Sequence, residues 1–396
     1  ERDRNKRSCD CGDTNTEAAT TSIQPRPALL GQSRRQFPHS MGVMGRAELV
    51  SFGSELLAAV CGDAGDERPP SLLHVAEMPA RRARGARWPS WVHPEVLATL
   101  RGHGITDLWE RCWSLLEHRD AGRDVVVSTG TASGKSLAFQ LPILDALARD
   151  PRARALYLSP TKALGHDQLR AAHSLTAAAP SLHDVAPTAY DGDTAPEVRR
   201  FARERSRWLF SNPDMVHLSL LRNHARWAVF LRGLKYVVVD ECHYYRGIFG
   251  SNVAMVLRRL LRLCERYRGA GDAGPTVIFA SATTAAPGQT AAELIGRPVA
   301  EVTDDGSPQG ARTIALWEPE LRHDIHGENG APVRRSAAGE AARMMADLVA
   351  EGARTLTFVR SRRSAELTAL GARTRLADIA PHLHDTVASY RAGYLA

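Results

Sequence analysis

Residues 125–136 read Val-Val-Val-Ser-Thr-Gly-Thr-Ala-Ser-Gly-Lys-Ser. A β-branched run, Val125–Val127, predicts a short buried strand, and Lys135–Leu147 has helical periodicity. A loop of small residues between a strand and a helix lets backbone N–H groups converge on a phosphate at the positive end of the helix. An ordinary small-residue helix cap is the alternative. The strand before the loop and the helix after it favour a phosphate-binding loop.

The loop residues have separate expected roles. The Lys135 amine would reach the β and γ phosphates of a nucleotide, and the Ser136 hydroxyl would be a ligand of Mg²⁺. The strict pattern has Gly where Thr129 stands, so this is a variant of the loop. The residues expected to bind ATP are Thr129, Gly130, Thr131, Ala132, Ser133, Gly134, Lys135 and Ser136.

A pair of carboxylates follows a second apolar run. Tyr236–Val239 predicts a buried strand, and Asp240 and Glu241 come directly after it. Ligands of open α/β sheets bind at the carboxyl ends of the strands. Asp240 can hold Mg²⁺ there, and Glu241 can orient or deprotonate an attacking water. Alone, such a pair is typical of a solvated turn, but after a phosphate loop in the same sheet it indicates a Mg-nucleotide site.

Strands and helices alternate from about residue 96 onward. This alternation predicts an α/β fold, a parallel sheet with helices on both faces. A second α/β round follows the Gly/Pro-containing segment 306–310. The other predicted strands are Leu156–Leu158, Trp208–Phe210, Val277–Ala280, Thr313–Leu316 and Thr355–Val359, and the other predicted helices are Ala163–Ala178, Ala337–Ala350 and Ser364–Thr374.

Composition excludes several classes of protein. The chain has 396 residues, 43% of them hydrophobic, which excludes collagen, coiled-coil rods and wholly disordered chains and suggests two or three domains. Its apolar runs are far shorter than the roughly 20 residues of a membrane helix, so no membrane association is expected. The net charge of +7 suits a polyanionic partner. Arginine-rich codon usage explains that charge equally well, since the only lysines are Lys6, Lys135, Lys162 and Lys235.

The six cysteines show no paired framework. Cys9 and Cys11 form a C-x-C, but no second pair or nearby histidine completes a zinc site, so no zinc is expected. Free thiols indicate a reducing, cytoplasmic location.

The N-terminal region is divided into two parts. Residues 1–44 are polar and are interpreted either as a disordered tail or as an overextended gene start, with translation beginning at Met41 or Met44. The second interpretation is favoured, because the first helical periodicity begins at Ala47. Residues 45–95 are an accessory or linker segment in which arginines lead into Trp88 and Trp91. These residues either grip a nucleic-acid strand or anchor a Pro-rich linker.

The ordered set of motifs resembles superfamily 2 helicases of the DExH type. The resemblance covers roughly residues 45–396, and the wording around the motifs is most similar to bacterial DNA-repair helicases related to the fungal Hrq-type, RecQ-like enzymes. It rests on the Thr131–Ser136 loop, Asp240-Glu-Cys-His243, Ser281-Ala-Thr283, Ser159-Pro-Thr-Lys-Ala-Leu164 with Asp167 and Gln168, Tyr190-Asp-Gly-Asp-Thr194, Ser211-Asn-Pro-Asp-Met215 and Thr355–Ser361.

The resemblance implies a RecA-like fold and a role for each matching residue. Lys135, Asp240 and Glu241 would be catalytic, and Ser136 and Asp240 would hold Mg²⁺. The residues that would couple hydrolysis to strand movement are His243, Ser281, Ala282 and Thr283. The residues that would lie on the sugar-phosphate track are Ser159, Pro160, Thr161, Lys162, Asn212 and Pro213.

Two departures from the family pattern bear on activity. Cys112 stands where the family carries a Gln that helps to recognise adenine, although Trp109 offers a ring for stacking. No Gln-x-x-x-x-Arg segment with an arginine finger occurs. The implied domains are a first RecA-like lobe at residues 96–304, a linker at 305–312 and an incomplete second lobe at 313–396.

The expected function is that of an ATP-dependent helicase, with ATP and Mg²⁺ as cofactors and DNA as partner. The 3′–5′ direction and the preference for DNA come from the resemblance alone. An RNA helicase of the same superfamily and a non-hydrolysing module that binds nucleotide and nucleic acid are the alternatives.

Overall fold

A computed structural model describes residues 56–58, 60, 61, 71–109, 122–130, 134–269, 271 and 273–391. Several sequence predictions lie outside this part of the chain. They concern residues 1–44, the phosphate-loop residues Thr131, Ala132 and Ser133, and the segment 110–113 with Cys112. No helix within the described ranges is long and apolar enough to cross a membrane.

The centre of the fold is a seven-stranded sheet in which all paired neighbours are parallel. Its strands are β4 (Asp124–Ser128), β5 (Arg154–Leu158), β6 (Thr188–Ala189), β7 (Trp208–Ser211), β8 (Leu234–Val239), β9 (Thr276–Ser281) and β10 (Val299–Val302). Their spatial order is β10-β4-β9-β8-β5-β7-β6. This sheet confirms the predicted α/β class, and the five predicted strands from Val125 to Ala280 all lie within it.

Helices connect the strands and cover the sheet. They are α1 (Pro94–Gly102), α2 (Lys135–Arg149), α3 (Lys162–Ala177), α4 (Pro196–Glu204), α5 (Ala228–Gly233), α6 (Gly247–Tyr267) and α7 (Pro287–Ile295). A helical turn at Pro213–Met215 runs into a π-helical segment at Val216–Leu221. The predicted helices that begin near Lys135 and Ala163 correspond to α2 and α3.

Both faces of the sheet are buried, because alternate residues of each strand enter two separate apolar clusters. On β4, Val125 and Val127 belong to the first cluster and Val126 to the second. On β5, Tyr157 enters the first cluster, while Leu156 and Leu158 enter the second. A strand buried on both faces reads as a continuous apolar run, which is why these strands are visible in the sequence.

A separate two-stranded ribbon joins distant parts of the chain. Strand β1 (Leu72–Met78) pairs antiparallel with β11 (Arg312–Trp317), which contains the predicted strand Thr313–Leu316. The backbones of Arg81 and Gln309 exchange two hydrogen bonds beyond the end of this ribbon. The predicted accessory segment therefore pairs with the predicted linker and the start of the predicted second lobe.

The arginine and tryptophan residues of the accessory segment have structural partners. The Arg81 guanidinium lies 2.9 Å from Asp305, and Arg84 pairs with Asp304. Trp88 donates its indole N–H to the Thr106 carbonyl at 2.9 Å, and its ring and that of Trp91 pack against the first apolar cluster. These contacts favour the anchoring interpretation of the two tryptophans. The short strands β2 (Gly85–Ala86) and β3 (Leu108–Trp109) pair beside them.

The C-terminal region is mostly helical. It contains β12 (Leu321–His326) and β13 (Pro332–Arg334), followed by α8 (Ala337–Ala350) and α9 (Arg362–Ile379). A small apolar cluster lies between the two helices, with Ala346, Ala372 and Leu376 fully buried. Helix α8 has the predicted bounds, and α9 contains the predicted helix Ser364–Thr374.

The predicted strand Thr355–Val359 is wrong. Within the described residues no ladder of hydrogen bonds joins this segment to a neighbouring strand. Leu356 and Phe358 are 78% and 87% exposed. An alternating apolar pattern specifies a strand only where another strand supplies the backbone partners. Residues 355–359 have the alternating apolar pattern but no paired strand among the described residues.

Asp124 fixes the start of the central strands. One oxygen of this buried carboxylate accepts from the Val277 N–H at 2.7 Å and from an Arg297 guanidinium nitrogen at 2.9 Å. Asp124→Ala should lower the free energy of unfolding by about 3 kcal/mol, because it leaves a buried N–H and a guanidinium without their acceptor. Chemical denaturation measures this change. Glu204→Ala is the control: it removes an exposed partner of Arg203 and should lower the free energy of unfolding by less than about 1 kcal/mol. Equal losses of stability in the two variants would contradict the stabilising role of the buried Asp124 carboxylate.

Candidate functional site

The predicted phosphate loop connects β4 to α2 at the carboxyl edge of the sheet. Ser128, the last residue of β4, lies opposite Ser281 of β9, and the Thr129 N–H donates to the Ser281 carbonyl at 3.3 Å. Gly134 has φ of +78° and caps α2, which begins at Lys135. Glycine adopts this left-handed conformation without the penalty that a side chain imposes. The predicted strand, loop and helix are therefore all present, apart from the three loop residues that lie outside the described part.

The Lys135 ammonium lies at this edge of the sheet. Its Nζ donates to the Thr129 carbonyl at 3.2 Å and to the Ser281 carbonyl at 3.0 Å. These two acceptors belong to the ends of neighbouring strands. The charge is thereby held between the phosphate loop and the segment that begins with Ser281.

The Ser136 hydroxyl is held by a chain of two glutamines. The Gln168 amide N–H donates to Ser136 Oγ at 3.0 Å, and the buried Gln140 donates to Gln168 Oε1 at 3.1 Å. Gln168 lies on α3, the helix that begins at Lys162, whereas Ser136 and Gln140 lie on α2. The first turn of α2 is thus linked by side chains to the neighbouring helix.

Trp109 lies against the phosphate loop. A Cβ atom added to Gly134 would come within 3.2 Å of Trp109 Cδ1. The indole ring, on β3, therefore sits directly beside the glycine that caps α2. This places the one aromatic side chain predicted to be available for base stacking close to the loop.

The two predicted carboxylates emerge where β8 ends. The Asp240 N–H donates to the Leu158 carbonyl of β5 at 2.8 Å, and Asp240 Oδ1 accepts from the Glu241 N–H at 2.9 Å. The Tyr157 hydroxyl donates to Asp240 Oδ2. Burial raises the pKa of the Asp240 carboxyl, and the hydrogen bond from Tyr157 opposes this shift. Burial also raises the pKa of the Tyr157 phenol, which keeps it a donor.

Glu241 has a strained backbone. Its φ is +48°, in the left-handed region that residues other than glycine rarely adopt. Such strain costs on the order of 1 kcal/mol or more and is found preferentially at functional sites. Here the conformation turns the chain out of β8 and into the short 3-10 helix Cys242–Tyr244.

The predicted coupling residues lie beside the carboxylates. Nδ1 of His243 is 3.2 Å from Glu241 Oε2 and 3.4 Å from the Ala282 nitrogen. The Ser128 hydroxyl donates to the Ala282 carbonyl at 2.8 Å. Ser281 is buried, whereas Thr283 is exposed. The structure therefore brings His243, Ser281 and Ala282 together with the phosphate loop, and leaves Thr283 at the surface next to them.

The residues predicted to contact nucleic acid lie at two helix starts. Thr161 caps α3 by accepting from the Leu164 N–H at 3.4 Å, and Asn212 accepts from the Met215 N–H at 2.9 Å. Ser159 is buried and donates to the Thr161 carbonyl at 2.9 Å. Pro160 is partly exposed, and Pro213 is buried at the start of its helical turn.

These two helix starts face a common depression of about 20 Å³, lined by residues that include Ser159, Thr161, Lys162 and Asn212. Lys162 pairs with Asp193. Four of the six predicted track residues therefore line one depression, although several of them also have local structural roles.

Tyr157 and Gln140 were not singled out by the sequence. Both sit in apolar segments that read as buried strand and buried helix. The sequence offers one indirect indication of their role: a tyrosine hydroxyl or glutamine amide predicted to be buried requires a hydrogen-bond partner. That requirement shows that a partner exists, but it does not identify Asp240 or Gln168.

Comparison with known proteins gives the class of this domain. Residues 110–291 match the family model described as DEAD/DEAH box helicase. The chain therefore carries a DEAD/DEAH box helicase domain, as the motif resemblance predicted.

Two individual relatives that are similar to this chain are named as ATP-dependent helicases. The ATP-dependent helicase HRQ1 of Saccharomyces cerevisiae is 40% identical over 329 residues, which cover 82% of this chain and 29% of the relative. The uncharacterized ATP-dependent helicase YprA of Bacillus subtilis is 33% identical over 334 residues, with coverages of 82% and 42%. The chain is homologous to both helicases and spans less than half the length of each.

A solved structure agrees with this relationship. The DUF1998 helicase MrfA bound to DNA aligns with a TM-score of 0.76 and 32% identity, over 89% of this chain and 46% of that chain. A second structure of MrfA, bound to DNA and AMPPNP, aligns with a TM-score of 0.73. The resemblance in fold therefore extends beyond the residues that the family model matches.

The Cys242 thiol, which lies between Glu241 and His243 in the sequence, offers a chemical test of the site. Burial raises the pKa of Cys242 to about 11 and that of Cys264 to about 12. Because only the thiolate alkylates readily, neither residue should react with iodoacetamide in the folded protein at pH 8. Both should react after denaturation, and peptide mass spectrometry identifies the labelled positions. Rapid labelling of Cys242 in the folded chain would contradict the burial of Cys242 in the second apolar cluster.

Proposed function

We propose that this chain binds ATP with Mg²⁺ at the carboxyl edge of its sheet and belongs to an ATP-dependent helicase that moves along one strand of DNA. The observation that carries the proposal is the meeting of the phosphate-loop lysine, the carboxylate pair and the segment after β9 at one place. Lys135 Nζ lies 3.0 Å from the Ser281 carbonyl, and His243 lies between Glu241 and Ala282.

The proposed roles follow from the chemistry of each group. The phosphate loop and the Lys135 ammonium would bind the phosphates, because backbone N–H groups and a cation complement their negative charge. Glu241 would orient and deprotonate the attacking water. Trp109, beside Gly134, would offer its ring to the adenine in the absence of the usual Gln.

The oxygen atoms near Lys135 suit a magnesium ion. Mg²⁺ prefers hydroxyl, carboxylate and water oxygens, and Ser136 and Asp240 supply the first two kinds of ligand. Bound magnesium neutralises charge on the phosphate oxygens during phosphoryl transfer. The Lys135 cation and the two carboxylates provide the balance of charges that a Mg-nucleotide requires.

The proposed partner is single-stranded DNA or a junction between single and double strands. Ser159, Pro160, Thr161, Lys162, Asn212 and Pro213 would contact the sugar-phosphate backbone. Such contacts position a strand without reading its sequence, which a translocating protein needs. The support for DNA is the homology to MrfA, a helicase that was solved in two structures bound to DNA. The 3′–5′ direction, a role in DNA repair and a cytoplasmic location remain predictions.

Phosphate release by the full chain tests this proposal. We expect ATP hydrolysis that single-stranded DNA stimulates more than RNA of the same sequence. Lys135→Ala should lower the rate about 100-fold, because it removes a charge directed at the phosphates. Lys235→Ala is the matched control, because Lys235 lies near the start of β8, at the opposite end of the strand from the carboxylates. This substitution should leave the rate of hydrolysis unchanged.

The possible results separate the alternatives. Stimulation by RNA rather than DNA would favour an RNA helicase. ATP binding without any phosphate release would favour the non-hydrolysing module. A hydrolysis rate that Lys135→Ala does not change would contradict the proposed site.

The hydrogen bonds from Gln140 to Gln168 and from Gln168 to Ser136 suggest a test of how DNA binding stimulates ATP hydrolysis. Gln168 lies on the same helix as Thr161 and Lys162 and donates to Ser136. Gln168→Ala should reduce the stimulation of hydrolysis by DNA about fivefold, equivalent to about 1 kcal/mol of coupling, with little change in the rate without DNA. Titration of the hydrolysis rate with DNA measures this effect.

A second glutamine provides the control for this variant. Gln289 lies on α7, where its amide donates to the exposed Glu293 at 3.0 Å. Gln289→Ala should leave the DNA stimulation unchanged. An equal decrease in both variants would show that the loss of stimulation does not depend on the contact with Ser136.

A further inference from the structure

A tyrosine hydroxyl lies buried beneath the carboxylate pair. Tyr157 is fully buried in the middle of β5, where its partner on β8 is Val238. Its hydroxyl donates to Asp240 Oδ2, two residues beyond that partner. Residues 155–158 of this strand read Ala-Leu-Tyr-Leu, so the Tyr157 hydroxyl is the one polar side-chain atom in this stretch. The hydroxyl therefore interacts with the carboxylate that directly follows β8.

The tyrosine ring is fixed from two sides. Its centroid lies 5.7 Å from that of Phe139 on α2 and 5.2 Å from that of Phe210 on β7. Both neighbouring rings are themselves buried. Since packing on both sides prevents rotation of the ring out of its place, the hydroxyl has a fixed position relative to β8.

Asp240 is held at both oxygens. Oδ2 accepts from the Tyr157 hydroxyl, and Oδ1 accepts from the Glu241 N–H at 2.9 Å. Without the phenol, the one hydrogen bond left to the carboxylate from the described residues would be that of the Glu241 N–H. A carboxylate oxygen has two acceptor sites, so each oxygen keeps one free for another ligand at the edge of the sheet.

We propose that Tyr157 is a positioning residue for the metal-binding carboxylate: its hydroxyl sets the orientation of Asp240 toward the magnesium ion. The inference rests on the proposed function, because it assumes that Asp240 holds magnesium with a bound nucleotide. Groups that hold a metal ligand in place typically change metal affinity 10- to 100-fold when they are removed.

The test is the magnesium dependence of nucleotide binding, which requires no hydrolysis. A fluorescent, non-hydrolysable ATP analogue is titrated onto the full chain over a range of Mg²⁺ concentrations. Tyr157→Phe, which removes only the hydroxyl, should raise the Mg²⁺ concentration for half-maximal binding about tenfold. Binding of the analogue in EDTA should stay within about twofold of the unchanged protein, since Lys135 and the loop are intact.

Two further variants separate positioning from a general loss of stability. Tyr267, the last residue of α6, has its hydroxyl 2.6 Å from His224 Nδ1. Tyr267→Phe removes this hydrogen bond and should leave the Mg²⁺ dependence unchanged. In an Asp240→Asn background, the effect of Tyr157→Phe should fall below about twofold, because the hydroxyl acts through the carboxylate.

The outcomes also separate this inference from the proposed function. Equal Mg²⁺ dependence of the unchanged protein and Tyr157→Phe would overturn the positioning role alone. The same would follow if Tyr157→Phe kept its full effect in the Asp240→Asn background. Failure of the unchanged protein to bind the analogue at any Mg²⁺ concentration would overturn the proposed function, and the positioning role with it.

Discussion

The register of the central parallel strands determines the rest of the structure. Ser128 lies level with Ser281, and Leu158 lies level with Val239. Because parallel strands in register end at one edge, the residues that follow them meet there. A slip of one residue would turn every side chain of a strand to the opposite face. The two apolar clusters, each filled by alternate residues, exclude such a slip and so fix the positions of Lys135 and Asp240.

Opposite charges share this edge under different constraints. The Lys135 ammonium donates hydrogen bonds to two backbone carbonyls, which leave its positive charge unneutralised. Asp240 is buried enough to raise its pKa, and a phenol offsets part of that shift. A cation and a destabilised carboxylate side by side both gain from a ligand that carries phosphate and metal together. This complementarity is the reason for proposing a Mg-nucleotide, rather than either ion alone, as the ligand of this edge.

Most of the fold was predictable because the central strands are buried on both faces. Continuous apolar runs such as Tyr236–Val239 predicted strands, and the residues after them predicted a site. The strand Thr355–Val359 was predicted wrongly, since the pattern does not state whether a partner strand is present. The pairing of β1 with β11 was also beyond reach, because it joins segments far apart in sequence. Tyr157 and Gln168 show the same limit within the site: the identity of a contact depends on the tertiary fold.

The helix starts near the predicted nucleic-acid track combine structural and proposed binding roles. The side chains of Thr161 and Asn212 cap helices, and removal of such a cap costs about 1 kcal/mol of stability. A loss of nucleic-acid binding in variants of these two residues would therefore mix two effects. Lys162 differs, because its exposed side chain pairs with Asp193 at the surface and contributes little to stability. Lys162 and Gln168 lie within two turns of each other on α3, so a strand held at the start of this helix would lie close to the glutamine that donates to Ser136. The helix therefore connects the proposed track directly with the proposed nucleotide site.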